Sequence, residues 1–208
     1  MKDDTVMTAT ETQMPAIPEE DSLRADLYDF LAALLSHPPS KPMLAQAASL
    51  QGDDSDLGQA INTLSRVAKA TNAEAVESEF NALFIGLGRG ELLPYASYYL
   101  TGFLNEKPLA QLRSDMAAQR MQRAPNVFEP EDNIASLFDM MAGMIRGRFG
   151  DPVPLEKQQE FFGRHIAPWA QHFFTDLEGA KNSVLYAPVG TVGKAFIEIE
   201  TQAFRMGG

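Results

Sequence analysis

The segment Glu129-Pro130-Glu131-Asp132 sets three carboxylates within four positions around a proline. A carboxylate accepts a guanidinium fork in two parallel hydrogen bonds, so such a segment can recognise arginine on a partner. The same acids would also suit the first turn of a helix opened by Pro130, where each favours the positive end of the dipole by about 0.3–1 kcal/mol whoever the partner is. Upstream, Tyr95, Tyr98 and Tyr99 follow Pro94 and share a helical face, carrying hydroxyls that seek water or a partner. Phe80, Leu83 and Phe84 lie on one stripe with Val76, which serves equally as core or as the wall of an apolar groove.

Other constellations argue mainly by what they lack. Gly86, Gly88 and Gly90 alternate as in a phosphate loop, but they follow a helical pattern and no Gly-Lys-Ser/Thr comes after them. In Gly190-Thr191-Val192-Gly193-Lys194 the lysine comes too early and Ala195 follows it. His165 and His172 stand seven apart on one helix face, yet no paired Glu-x-x-His elements accompany them, and His37 is the remaining imidazole. They read as packing or surface histidines. Ser22, Ser97 and Ser183 have neither a nucleophile elbow nor an identifiable base. The absence of cysteine excludes disulfides, thiolate metal sites and a thiol nucleophile.

With 17 basic against 28 acidic side chains, the net charge of −11 repels nucleic acid and anionic lipid. The same field attracts basic peptides. The start, Met1-Lys2-Asp3-Asp4, has neither a basic n-region nor an apolar h-region, and no apolar run reaches the roughly 18 residues of a membrane span. A cytoplasmic location is therefore expected.

Positioning these residues is a task for helices. Residues 1–22 hold one lysine and six acids with Pro15 and Pro18, and read as a flexible acidic leader; 23–208 form one helical domain. Asp21-Ser22 would cap a first helix with Leu23, Leu27, Phe30, Leu31 and Leu34 on one face, stopped by His37-Pro38-Pro39. Helical periodicity continues over 42–50, 57–70 and 72–84, the last capped by Asn72, before the glycine loop. Pro94 would open the next helix, followed by helices over 108–121 and from Pro130 to about 147, with a loop over 123–129 between them. A helix over 155–177 should kink or restart at Pro168, and Val192, Phe196, Ile199 and Phe204 mark the final one. There is no β-alternation and no internal repeat, so the expectation is an all-α, single-domain bundle of roughly nine to ten helices.

Three segments together resemble the TorD/DmsD family of molybdoenzyme maturation chaperones, over most of residues 23–205. The first is Glu79-Phe80-Asn81-Ala82-Leu83-Phe84-Ile85-Gly86 leading to Pro94-Tyr95-Ala96-Ser97-Tyr98, similar to the family's aromatic-x-x-Leu-Phe and Pro-aromatic-x-Ser stretches. The others are Glu129-Pro130-Glu131-Asp132-Asn133 and the His165-x-x-Pro168-Trp169 ending. The family usually has histidine after the aspartate, where this chain has Asn133. The resemblance implies a TorD-like chaperone, not an enzyme, with no cofactor of its own. It would bind a molybdenum-cofactor oxidoreductase catalytic subunit or its twin-arginine signal peptide, assisting cofactor insertion and delaying export. The contact residues implied are Phe80, Leu83, Phe84, Pro94, Tyr95, Ser97, Tyr98, Glu129, Glu131, Asp132 and Asn133. Weak guanine-nucleotide binding is compatible with it, and monomer and domain-swapped dimer both stay open. The alternative is a small helical nucleotide-binding regulator or enzyme using the loop at 86–90.

Overall fold

A computed structural model of the chain describes residues 17–123 and 128–207. Most of the expected leader, 1–16, and the middle of the expected loop over 123–129 lie outside the described residues. The helices are α1 (Glu19–Ser36), α2 (Lys41–Ser49), α3 (Asp56–Ala70), α4 (Ala73–Phe80), α5 (Ala96–Thr101), α6 (Lys107–Ala118), α7 (Ile134–Arg146), α8 (Leu155–His165), α9 (Ala170–Gly179) and α10 (Tyr186–Met206). Among the described residues these ten α-helices and one π-helical turn, Asn81–Ile85 at the end of α4, are the regular structure, without a strand. None of the helices is long and apolar enough to cross a membrane.

The centre is α7, of whose 13 residues ten are buried, so it must be covered on all sides rather than on one face. Helix α1 packs along it, while α10 packs against both α9 and α3. Tyr28 of α1 meets Phe138 of α7 edge-on at 5.1 Å and Phe196 of α10 at 4.6 Å, joining the three helices at one point. Glycine permits the contact between α9 and α10: a Cβ on Gly193 would come within 2.3 Å of the Phe174 ring.

Several expected boundaries move. Pro18 rather than Asp21 or Ser22 precedes α1, so Glu19, Glu20 and Asp21 form its first turn, and Leu23 is left 62% exposed. Leu31 and Leu34 are buried as expected and Leu27 and Phe30 pack against the core, while the buried face also takes in Tyr28 and Leu35. Of the residues that marked the final helix, Val192, Phe196 and Phe204 are buried in α10 and Ile199 is exposed. Asn72 does cap α4, accepting from Ala75 N at 2.9 Å. The Pro168 restart also occurs: α8 ends at His165, and Trp169 Nε1 donates to the His165 carbonyl at 2.8 Å across the break.

Two proline-led starts fail in the same place. Pro94 lies before α5 and Pro130 before α7, because the two segments pair with each other instead of entering helices. Tyr95 and Asn133 form an isolated antiparallel bridge, with Ile134 N donating to Pro94 O and Ala96 N to Asp132 O, both at 2.9 Å.

Candidate functional site

This two-segment clasp joins α5 to α7 and gathers most of the residues singled out in the sequence. Asp132 sits inside it, 1% exposed, and its Oδ2 accepts from Ser97 N at 2.8 Å, occupying a donor at the start of α5. It is not an exposed carboxylate aimed at solvent. Nor does it lie in the first turn of α7, which contains no acid, so the dipole reading of these acids fails as well. Asn133 is α7's N-cap, its Oδ1 accepting from Ala135 N at 2.9 Å. Pro94, Ser97 and Asn133 are all buried in the clasp. Ser97 Oγ and Asp132 Oδ1 are enclosed without a hydrogen-bond partner.

What reaches the surface is the rim. The Tyr95 hydroxyl donates to Glu129, whose carboxyl is held above the usual carboxylate range by burial. Glu131 is already engaged: Arg113 Nη2 lies at 2.9 Å and Arg123 Nη2 at 3.1 Å. Burial alone would raise the Glu131 carboxyl, but its hydrogen bond and attraction to Arg113 outweigh that and lower it. Beside these acids runs a crevice of about 320 Å³, lined by Met116, Met121, Met140 and Phe149 with Glu129, Glu131 and Asp139. A long unbranched stem ending in a cation fits such a place, because thioethers adapt to its shape and the carboxylates meet its head.

The expected aromatic groove is largely core. Phe80 and Leu83 are buried, and half-buried Phe84 packs edge-on against Phe80 at 4.9 Å and Tyr186 at 5.4 Å. These three are corrected from contact residues to framework, since Leu83 is enclosed in the core and the Phe80 and Phe84 rings pack on each other and on Tyr186 of α10. Tyr98 does remain at the surface, accepting from Arg89 Nη2 at 2.6 Å. Tyr99 leans on Trp169 and donates to Asp176 at 2.9 Å. Leu100, Phe103 and Leu104 follow, all exposed.

The glycine loop does not build a phosphate cradle. It leaves the C-terminal end of α4 and its π-turn, where the helix dipole is negative, and folds back so that Glu91 N and Leu92 N bond Ala82 O and Leu83 O. A Cβ on Gly90 would lie 2.6 Å from Leu83 O, so that glycine serves close packing. Gly190 and Gly193, in the second glycine pattern, are inside α10 and buried. His165 and His172 do not converge on a metal, and no group of three or more His, Asp or Glu among the described residues could hold one.

Sequence reasoning missed the carboxylates that tie distant segments. Glu79 of α4 accepts from Val184, Leu185 and Tyr186 N–H groups at the start of α10, at 2.7 to 3.1 Å. Glu91 does the same for Lys181 N and Asn182 N. The first partners are more than a hundred positions away, beyond any local spacing rule. Only the absence of a cap residue before Tyr186 hinted that one must come from elsewhere.

Comparison with known proteins adds an independent line. A profile of the family described as nitrate reductase delta subunit matches residues 50–175. A Vibrio cholerae protein named chaperone protein TorD is 26% identical over 195 residues, covering 84% of this chain and 89% of that one. The protein of the same name from Vibrio atlanticus is 26% identical over 200 residues, covering 86% and 93%. That from Psychrobacter is 27% identical over 172 residues, covering 74% and 78%. An Archaeoglobus fulgidus crystal structure, described as a redox enzyme maturation protein, shares the fold with TM-score 0.55 at 17% identity, over 94% of this chain and 99% of that one.

Proposed function

The chain belongs to the nitrate reductase delta subunit family, and from that premise and its likeness to TorD chaperones we propose that it is a maturation chaperone for a molybdenum-cofactor oxidoreductase. It holds the catalytic subunit in the cytoplasm, engaging its twin-arginine signal peptide until the cofactor is inserted, and so delays export. The observation that carries this reading is the clasp's rim: Tyr95 fixes the Glu129 carboxylate at the mouth of a methionine-lined crevice. No cation is paired with the Glu129 side chain among the described residues, so an incoming guanidinium would be its counter-charge. Asp132 and Asn133 then act behind the surface, setting the backbone that presents Glu129.

Charge cannot supply the affinity. An exposed ion pair is worth about 0.2–1 kcal/mol, whereas micromolar binding needs about −8 kcal/mol. Apolar contact must dominate, and the crevice methionines, Tyr98 and the exposed Leu100, Phe103 and Leu104 supply the surface for it.

The test is a calorimetric titration of the full chain with a twin-arginine peptide and its lysine-pair version, in wild type and Glu129→Gln. The expected outcome is a preference for arginine that shrinks about fivefold or more in the variant while most apolar affinity stays. Because the Glu129 carboxyl is held above its ordinary range, it takes up a proton as the pH falls and the preference should fade there. An unchanged arginine-to-lysine ratio would remove Glu129 from the site.

A further inference from the structure

Eleven residues along α7 from the clasp, about 16 Å at the helical rise, Ile145 borders a second and larger cavity. Its volume is about 480 Å³, and it lies between the start of α1, the segment before α8 and the end of α10. The walls are Pro18, Val153, Leu155 and Phe204 with Ile145; one side is polar. There Arg24 Nε and Nη2 each meet the Glu200 carboxylate at 2.8 Å, and Tyr28 adds a third hydrogen bond to it at 2.9 Å. Glu200 is 1% exposed. Arg24 Nη1 reaches Asp21 at 2.6 Å, and Gln158, 5% exposed, stands beside it at 3.5 Å.

A buried ion pair rarely stabilises a fold more than apolar packing would, so this arrangement invites a use. The pair fixes a guanidinium edge at the cavity, where its second Nη2 hydrogen has no protein partner among the described residues. A peptide carbonyl fits that donor. Around it, one guanidinium stands among three carboxylates, Glu20, Asp21 and Glu200, so the polar side is net acidic. Glu20 is exposed and pairs with no cation among the described residues.

We infer that this cavity is a second client contact, taking a short apolar stretch of polypeptide flanked by basic residues. Its apolar side chains enter between Ile145, Val153 and Phe204, and a backbone carbonyl accepts from Arg24. The flanking cation faces Glu20. The inference rests on the reading that the chain holds client polypeptide, and charge selects the occupant: the chain's own residues 1–16 carry Asp3, Asp4 and Glu11 against Lys2, and suit an acidic mouth poorly.

The experiment uses the full chain and a labelled ten-residue peptide, six alternating Leu and Ala between pairs of lysines, with a glutamate-flanked twin. Fluorescence anisotropy should show the lysine peptide binding at least tenfold more tightly. Leu155→Asp and Glu20→Lys, both at exposed positions and checked by thermal melts, should each weaken it at least fivefold, while Glu77→Lys, an equal charge reversal at an exposed position of α4 outside the cavity lining, leaves it unchanged. Loss of binding in Glu129→Gln with the cavity variants unaffected would assign the peptide to the clasp and overturn the inference. A more than tenfold gain on deleting residues 1–16 would also overturn it, by making that segment the occupant. If the twin-arginine peptide binds and the lysine peptide does not, the cavity fails and the proposed function stands. The reverse result sinks the clasp reading alone.

Discussion

At the scale of single residues, the acidic segment divides its labour by burial. Asp132 faces inward to a backbone donor, Glu131 is neutralised by Arg113 and Arg123, and Glu129 is left at the rim. A carboxylate that accepts from Ser97 N has a structural role that can be measured separately. Asp132→Ala should lower folding stability by about 1–2 kcal/mol, the usual cost of losing such an acceptor at a helix start. Asp132→Asn, which keeps an oxygen there, should cost less. Denaturant midpoints beside peptide titrations would check this. If the alanine variant kept full stability and lost its preference for arginine, Asp132 would be contacting ligand after all. The chemistry of these acids was legible in the sequence, but their order from inside to outside was not. Both Pro130 and Pro94 signal helix starts locally, and only the long-range bridge between Tyr95 and Asn133 holds their segments outside helices.

At the scale of elements, helix existence followed from apolar periodicity, while faces and docking depended on partners far along the chain. Leu23 obeys the period of α1 and is still exposed, whereas its neighbours Arg24, tied to Glu200 of α10, and Ala25, fully buried, take the side that meets the rest of the fold. The docking of α6 shows what else escapes local reading. Asp115 of α6 accepts from Arg164 and lies 2.7 Å from His165 Nε2. Burial lowers the His165 pKa, against the opposing pull of Asp115. Below the ordinary histidine value, about 6.5, the unfolded chain takes up a proton that folded His165 resists, so stability falls as the pH drops through that window. Removing the imidazole with His165→Gln should flatten the slope of unfolding free energy between about pH 5 and 6.5, by at most about 1.4 kcal/mol per pH unit. Equal slopes in both proteins would show that His165 titrates alike in the folded and unfolded chain. The contact between α9 and α10 makes a second test at this scale. Gly193→Ala gains helix propensity of about 1 kcal/mol, yet its Cβ would collide with the enclosed Phe174 ring. Net destabilisation of about 1–2 kcal/mol is expected from thermal or denaturant unfolding, since overpacking commonly costs about 1–3 kcal/mol. A stabilised variant would mean that the ring has room to move.

At the scale of the whole molecule, two sites at the two ends of α7 share one field. The net charge of −11 speaks to encounter, and the apolar crevice and cavity to retention. These roles separate under salt, because the Debye length shrinks from about 10 Å at 0.1 M to about 3 Å at 1 M while apolar contact is not screened. A stopped-flow titration with a twin-arginine peptide, from about 50 to 500 mM salt, should therefore slow association by about tenfold. Dissociation should change by less than about twofold. The composition announced this attraction to basic partners without locating it, since charge sums over the surface and docking does not. Adding Glu129→Gln sharpens the test. Removing one unit from −11 leaves the long-range field nearly intact, so the variant should associate almost as fast as wild type and dissociate faster. Were it instead to associate several-fold more slowly at an unchanged off-rate, Glu129 would be acting as part of the attracting field, and the clasp's rim would lose its standing as the place where an arginine is held.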